Sequence, residues 1–236
     1  MIWWPKPSSR RALFIPHPAL VGEDEPAVGA DAHRDDAEFE RVEAWVRHQG
    51  TRVFLRDCLD LSVALDMNLT RDDSGATDHT PIGALEYRAK STPDAAAVEA
   101  LVGHFCATIN DLPYYRDARL IAAVPPRPDK SYDLPTTLAE RIATRLNLDN
   151  LTPRFRFTGK KQSVKDLPLA QKWQSWQQAG LSLTHALEQE PSVILIDDKY
   201  QSGSTLQFVA SCLRAAGAGP IFGLCAVKTW RDTDNA

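Results

Sequence analysis

Val193-Ile-Leu-Ile-Asp197-Asp198-Lys199-Tyr-Gln-Ser202-Gly203-Ser204-Thr205-Leu206 is the stretch on which the reading of this chain turns. Its first four residues are apolar without alternation and mostly β-branched, the pattern of a strand buried on both faces. The run is expected to end at Asp197 and Asp198, which brings two carboxylates to the sheet edge where ligands collect in α/β folds. Ionised carboxylates only accept hydrogen bonds, so the pair suits vicinal hydroxyls. Ser202-Gly203-Ser204-Thr205 then opens a helix, where unpaired amides and the helix dipole favour an anion, glycine permits close approach and three hydroxyls add donors. Acceptors for a diol beside a cradle for phosphate describe a site for ribose 5-phosphate. Two plainer readings compete. One is a turn and an ordinary helix cap. The other is a Walker B strand, but Thr158-Gly159-Lys160-Lys161 lacks the Gly-x-x-x-x-Gly-Lys-Ser/Thr spacing of the loop that would accompany it.

The surroundings alternate strand and helix. Downstream, Leu206, Val209, Cys212 and Leu213 mark a helix over Ser204–Ala216 that Gly217 stops, and Ile221–Val227 reads as a strand. Upstream, Val98, Leu101, Val102, Phe105 and Ile109 mark a helix from Ala95 capped by Asp94 or Thr92. Leu120–Val124 is an apolar strand entering Pro125-Pro126, and Leu134, Leu138, Ile142 and Leu146 mark another helix. Phe155-Arg156-Phe157 alternates like a strand. The polar stretch from Thr158 to about Gln178 is long enough to be functional, with Trp173 and Trp176 on one helical face packing on a neighbour. Arg88 and Lys90 are expected on a surface strand. The fold class is therefore α/β, a doubly wound and mainly parallel sheet over residues 81–236. Residues 1–80 read as an N-terminal extension or hood. They hold a strand at Ala12–Ile15, a loop over Pro16–Asp36, a helix over Ala37–His48, a strand at Arg52–Leu55 and a polar loop over Thr70–Thr80.

The Asp-Asp segment resembles the phosphoribosyl pyrophosphate (PRPP) motif of type I phosphoribosyltransferases, a Rossmann-like fold. There an apolar strand leads to two acids, a spacer and a Thr/Ser-Gly-x-Thr loop. Ser202 stands where threonine is usual, and Lys199 replaces an apolar residue. The order Leu85-Glu-Tyr-Arg-Ala-Lys90, helix, Leu120–Val124 and Pro125-Pro126-Arg127 is similar to the ComF-like branch, without its cysteine-rich zinc module. The resemblance covers roughly Pro81 to Trp230 and implies a magnesium-dependent transferase of nucleotide metabolism. It would pass ribose 5-phosphate from PRPP to a nitrogen base with release of pyrophosphate. In that picture Asp197 and Asp198 are catalytic, stabilising a cation-like transition state. Ser202, Gly203, Ser204 and Thr205 hold the phosphate, and Arg127 faces pyrophosphate. Lys160 and Lys161, with Gln162 and Lys165, belong to a mobile hood, and Trp230 stacks on the base. No protein metal ligands are assigned, since Mg2+ comes with the substrate.

Composition narrows the alternatives. Over 236 residues, 43% hydrophobic and 25% charged, the chain has globular proportions. A net charge of −4 offers no global attraction to nucleic acid. Single-stranded DNA would need a local strip such as Arg154, Arg156, Lys160, Lys161, Lys165 and Lys172, in line with a ComF-like role in DNA uptake or repair. A non-catalytic nucleotide sensor is the remaining alternative. Cys58, Cys106, Cys212 and Cys225 have no zinc spacing and read as small buried hydrophobes. His79, His104 and His185 have no partner pattern. No apolar run reaches membrane length, so a cytoplasmic location is expected. The first eighty residues are candidates for covering the base pocket or for forming a homodimer.

Overall fold

Apolar strands that cannot face water assemble the centre of the molecule. The computed structural model describes residues 36–72, 74–91, 94–126, 130–159 and 169–230. In chain order the elements are α1 (Asp36–His48), β1 (Val53–Leu55), β2 (Leu61–Met67), β3 (Leu69–Arg71), β4 (Thr77–His79), α2 (Pro81–Ser91), α3 (Ala95–Asp111), α4 (Pro113–Arg116) and β5 (Leu120–Ala123). They continue as α5 (Leu134–Leu146), β6 (Asp149–Asn150), β7 (Phe155–Phe157), α6 (Leu169–Ala179), β8 (Leu181–Leu183), β9 (Val193–Tyr200), α7 (Ser204–Ala215) and β10 (Ile221–Lys228).

Six strands form one sheet in the order β1-β2-β10-β9-β5-β6. All neighbours from β2 to β6 are parallel, and β1 closes one edge antiparallel to β2. On one face, Val98, Leu101, Phe105, Leu138 and Ile142 of α3 and α5 pack on Val63, Ile194, Ile196 and Leu224. On the other, Leu206, Val209 and Leu213 of α7 pack on Ala64, Val193, Leu195 and Cys225, with Phe155, Trp176 and Leu181 continuing that layer. Helices on both faces of a parallel sheet make the fold doubly wound, as the sequence pattern implies. Local signals agree with it. Asp94 accepts hydrogen bonds from the amides of Ala96 and Ala97 at the start of α3, and Asp133 caps α5 through Thr136. Trp173 meets Phe208 edge-on at 5.0 Å and Trp176 stacks on it at 5.5 Å, which joins α6 to α7.

Several expectations change. β9 does not stop at the acid pair but runs to Tyr200, because β10 keeps pairing through Asp197↔Cys225, Lys199↔Val227 and Tyr200↔Lys228. β5, on the other side, stops pairing at Ala123↔Ile196. Residues 81–91, expected to hold a surface strand, form α2, with Glu86 and Lys90 an i,i+4 pair. The polar segment 70–80 contributes to the β3–β4 hairpin, closed where Asp72 accepts from the hydroxyl of Ser74 and the amide of Ala76. Part of the stretch 158–178 is α6. The first eighty residues supply β1 and β2 to the central sheet, so the sheet extends across the boundary drawn at position 80. The strand expected at 12–15, and the loop from 16 as far as 35, lie outside the described residues.

Candidate functional site

β5 and β9 are neighbours, yet the helices that follow them, α5 and α7, lie on opposite faces of the sheet. Chain reversal of this kind opens a crevice outside the carboxyl ends of the two strands, the position where open α/β sheets take ligands. Asp197 and Asp198 lie on β9 just past the end of β5.

Adjacent strand residues point to opposite faces, and the acid pair obeys that rule. Asp197 lines a cavity of about 110 Å³ together with Lys172, Lys199 and the loop residues Tyr200 to Leu206. Asp198 is buried on the α2 side, where its Oδ2 lies 2.6 Å from Nζ of Lys90. Lys90 in turn lies 3.6 Å from Oε1 of Glu86, and Oε2 of Glu86 lies 3.2 Å from Nζ of Lys199. Glu86 is only 1% exposed, so its charge is carried by these two lysines. One carboxylate of the pair thus faces the cavity and the other is ion-paired with Lys90 behind it.

Burial and the adjacent Asp198 carboxylate push Asp197 well above the ordinary carboxylate range. For Lys90, burial acts to lower its pKa, but the Asp198 contact and the charge of Glu86 hold it above its usual value. Lys90 was expected on a surface strand, and its partnership was signalled only by its i,i+4 spacing from Glu86.

The cavity's other wall is the mouth of α7. Gly203 is the N-cap, in the left-handed region at φ 75°, and has no side chain of its own with which to cap the helix. The first amides of a helix have no acceptor within it, so this mouth presents donors to the cavity. Ser202 and Ser204 place their hydroxyl oxygens 3.0 Å apart, and the Ser204 amide is 3.5 Å from Oγ of Ser202. Thr205 lines the same space. The four loop residues singled out from the sequence are thus together with Asp197.

Lys172 was assigned to a surface strip for nucleic acid, but it is 4% exposed and lines the cavity from α6. Its removal shortens the strip, and Arg156 bonds back to the carbonyls of Pro153 and Phe155. Trp230 follows β10, half exposed, with its indole N–H donating to the carbonyl of Leu69 in the hairpin. Arg127, Lys160, Lys161 and Lys165 lie outside the described residues. Among the described residues no group of three or more His, Cys, Asp or Glu side chains is arranged to hold a metal. The single carboxylate lining the cavity would suit a hydrated magnesium ion, since Mg2+ keeps several waters and needs only one or two protein carboxylates. None of the described helices is long and apolar enough to cross a membrane.

No family model matches the sequence, and no curated protein matches it. Among solved structures the chain is similar to orotate phosphoribosyltransferase from Aeropyrum pernix, at 12% identity and a TM-score of 0.36, over 79% of this chain and 81% of that one. It is also similar to adenine phosphoribosyltransferase from Trypanosoma brucei, solved with AMP, pyrophosphate and ribose-5-phosphate. There the identity is 10% and the TM-score 0.43, over 75% of this chain and 86% of that one. A third is the adenine phosphoribosyltransferase of Giardia lamblia complexed with 9-deazaadenine, at 14% identity and a TM-score of 0.36, over 68% of this chain and 92% of that one. These are orotate and adenine enzymes, and the likeness to the ComF-like branch rests on motif order alone.

Proposed function

We propose that this chain binds PRPP or a ribose 5-phosphate nucleotide in the cavity between Asp197 and the mouth of α7, and that it transfers phosphoribose to a nitrogen base. The observation that carries the reading is the juxtaposition of one buried-edge carboxylate with an uncapped, glycine-opened helix mouth at the sheet's reversal point. The α7 amides and the hydroxyls of Ser202, Ser204 and Thr205 hold the 5-phosphate, and Lys172 adds a cation. Asp197 accepts from a ribose hydroxyl and faces the positive charge that develops on the sugar ring. In the transfer the bond from the anomeric carbon to pyrophosphate breaks, and pyrophosphate leaves with the electron pair. The base nitrogen forms the new bond, and its proton passes to the departing pyrophosphate. Magnesium, when bound with the substrate, would neutralise charge on the phosphates. Arg127, Lys160 and Lys161 are assigned to the pyrophosphate and the hood, and Trp230 to the base, on the family resemblance.

One observation favours a second reading, a nucleotide sensor without turnover. Lys90 occupies Asp198, which leaves a single free carboxylate for the sugar. Pyrophosphate release from PRPP with Mg2+ and a panel of purine and pyrimidine bases separates the two. Release that depends on one base, and falls at least about 100-fold in Asp197→Asn, supports transfer, in keeping with the size of lost electrostatic stabilisation elsewhere. Tight PRPP binding with no release under any base supports the sensor. Absence of binding contradicts both.

A further inference from the structure

Gly203 has a side chain packed beneath it, that of Tyr200, which also lines the cavity. A Cβ built on Gly203 would overlap the hydroxyl and Cζ of Tyr200 and lie 2.9 Å from its Cε2. The phenol of Tyr200 therefore forms the floor of the loop, which lets the backbone at Gly203 sit down into its left-handed conformation. The phenol itself is tethered. Its hydroxyl donates to Oδ2 of Asp57 at 3.2 Å. Asp57 belongs to the turn between β1 and β2, and its other oxygen accepts from the Leu59 amide at 3.0 Å and the Ser62 hydroxyl at 3.1 Å. From α7, Arg214 grips the same turn through the carbonyl of Cys58 at 3.0 Å and the Asp60 carboxylate at 2.9 Å. Asp57 thus connects the β1–β2 turn, the end of β9 and the mouth of α7.

We infer that Asp57 and Tyr200 form a positioning pair that sets the geometry of the phosphate loop, so that a turn within the first eighty residues tunes affinity for the phosphate without touching it. The inference rests on the phosphate reading above and names the residues that regulate it. A carboxylate with three donors has one fixed orientation, and it pins the phenol more firmly than water would. With the phenol pinned, the loop cannot relax downward, and the Gly203 to Leu206 backbone keeps its concave face toward the cavity. Burial raises the pKa of Asp57 above the carboxylate norm, while the bonds from Leu59, Ser62 and Tyr200 and the charge of Arg214 oppose that rise.

The test is a double-mutant cycle on the full chain, with ribose 5-phosphate and, separately, ribose titrated calorimetrically into wild type, Asp57→Asn, Tyr200→Phe and the double variant. Tyr200→Phe keeps the ring under Gly203 and so keeps the floor, while removing the hydroxyl that donates to Asp57. Each single variant is expected to bind ribose 5-phosphate about tenfold more weakly, the scale of one hydrogen bond to a charged group. The double variant is expected to be no weaker than either single one, and the weak affinity for ribose is expected to stay the same. Losses that add, or that fall equally on ribose and its phosphate, overturn the inference. So does wild-type affinity in Tyr200→Phe, which leaves the phosphate reading standing. Failure of wild type itself to bind ribose 5-phosphate overturns both.

Discussion

Gly203 is the residue whose chemistry is most tightly constrained, by its backbone conformation and by the phenol below it. Gly203→Ala is predicted to destabilise the chain by about 1–3 kcal/mol, the cost of holding a non-glycine residue in a sparsely populated conformation, with added overlap against Tyr200. Chemical denaturation measures it, and unchanged stability would show that the loop has room to spare. Asp197 leads to a prediction of opposite sign. Its pKa is raised in the fold, so the native state holds the proton more tightly than the unfolded chain does. Stability then falls as pH rises from the unfolded carboxylate value near 3.8 through the raised value. Asp197→Asn is predicted to match or exceed wild type in Tm at pH 7, with the difference shrinking toward pH 4, while ligand binding is lost. Melting curves at several pH values check it. At this scale the juxtaposition of Asp197 with the loop residues was legible, because an apolar run ending in acids and followed by a hydroxyl-glycine-hydroxyl loop has few other uses. The division of labour between Asp197 and Asp198 was not, because the partner of Asp198 lies 108 positions away.

Helix α2 shows what an element adds that a motif does not. Its Glu86 is buried, and Lys90 and Lys199 reach it from its own helix and from β9. Lys90→Met is predicted to destabilise by about 1–3 kcal/mol, below the figure for a fully buried pair because the lysine side chain is partly exposed. Lys90→Met combined with Asp198→Asn is expected to recover part of that loss, since the unpaired charge goes with the lysine. Urea denaturation of Lys90→Met, Asp198→Asn and the double variant decides it, and additive losses would show that the two groups do not interact. The sequence concealed this helix because a buried glutamate breaks the apolar pattern on which periodicity depends. Strand β2 was hidden for a related reason. Ser62 and Asp66 interrupt an otherwise apolar run, and the Ser62 hydroxyl finds its acceptor in Asp57, outside the strand. Strand β9, α7, β10, α3 and α5 carry their own patterns and were read from them.

At the scale of the molecule, the sheet depends on β2 to cover the flank of β10, which is buried along almost its whole length. A chain beginning at Pro81 would leave that flank open and apolar, so it is predicted to lack a cooperative thermal transition and to aggregate. A soluble, cooperatively folding fragment would contradict that. The overall architecture was legible because doubly wound sheets need fully apolar strands, and β5, β9 and β10 supply them. The part played by residues 53–67 was not, because it is decided by pairing with a strand at the far end of the chain. The central claim is that the mouth of α7 and Asp197 together hold a sugar phosphate. Calorimetric titration of ribose 5-phosphate into wild type and Asp197→Asn tests it most directly. The account predicts one site per chain in wild type, displaced by inorganic phosphate, and loss of most of the affinity in the variant. Equal affinity in the two proteins, or no binding to wild type, would contradict it.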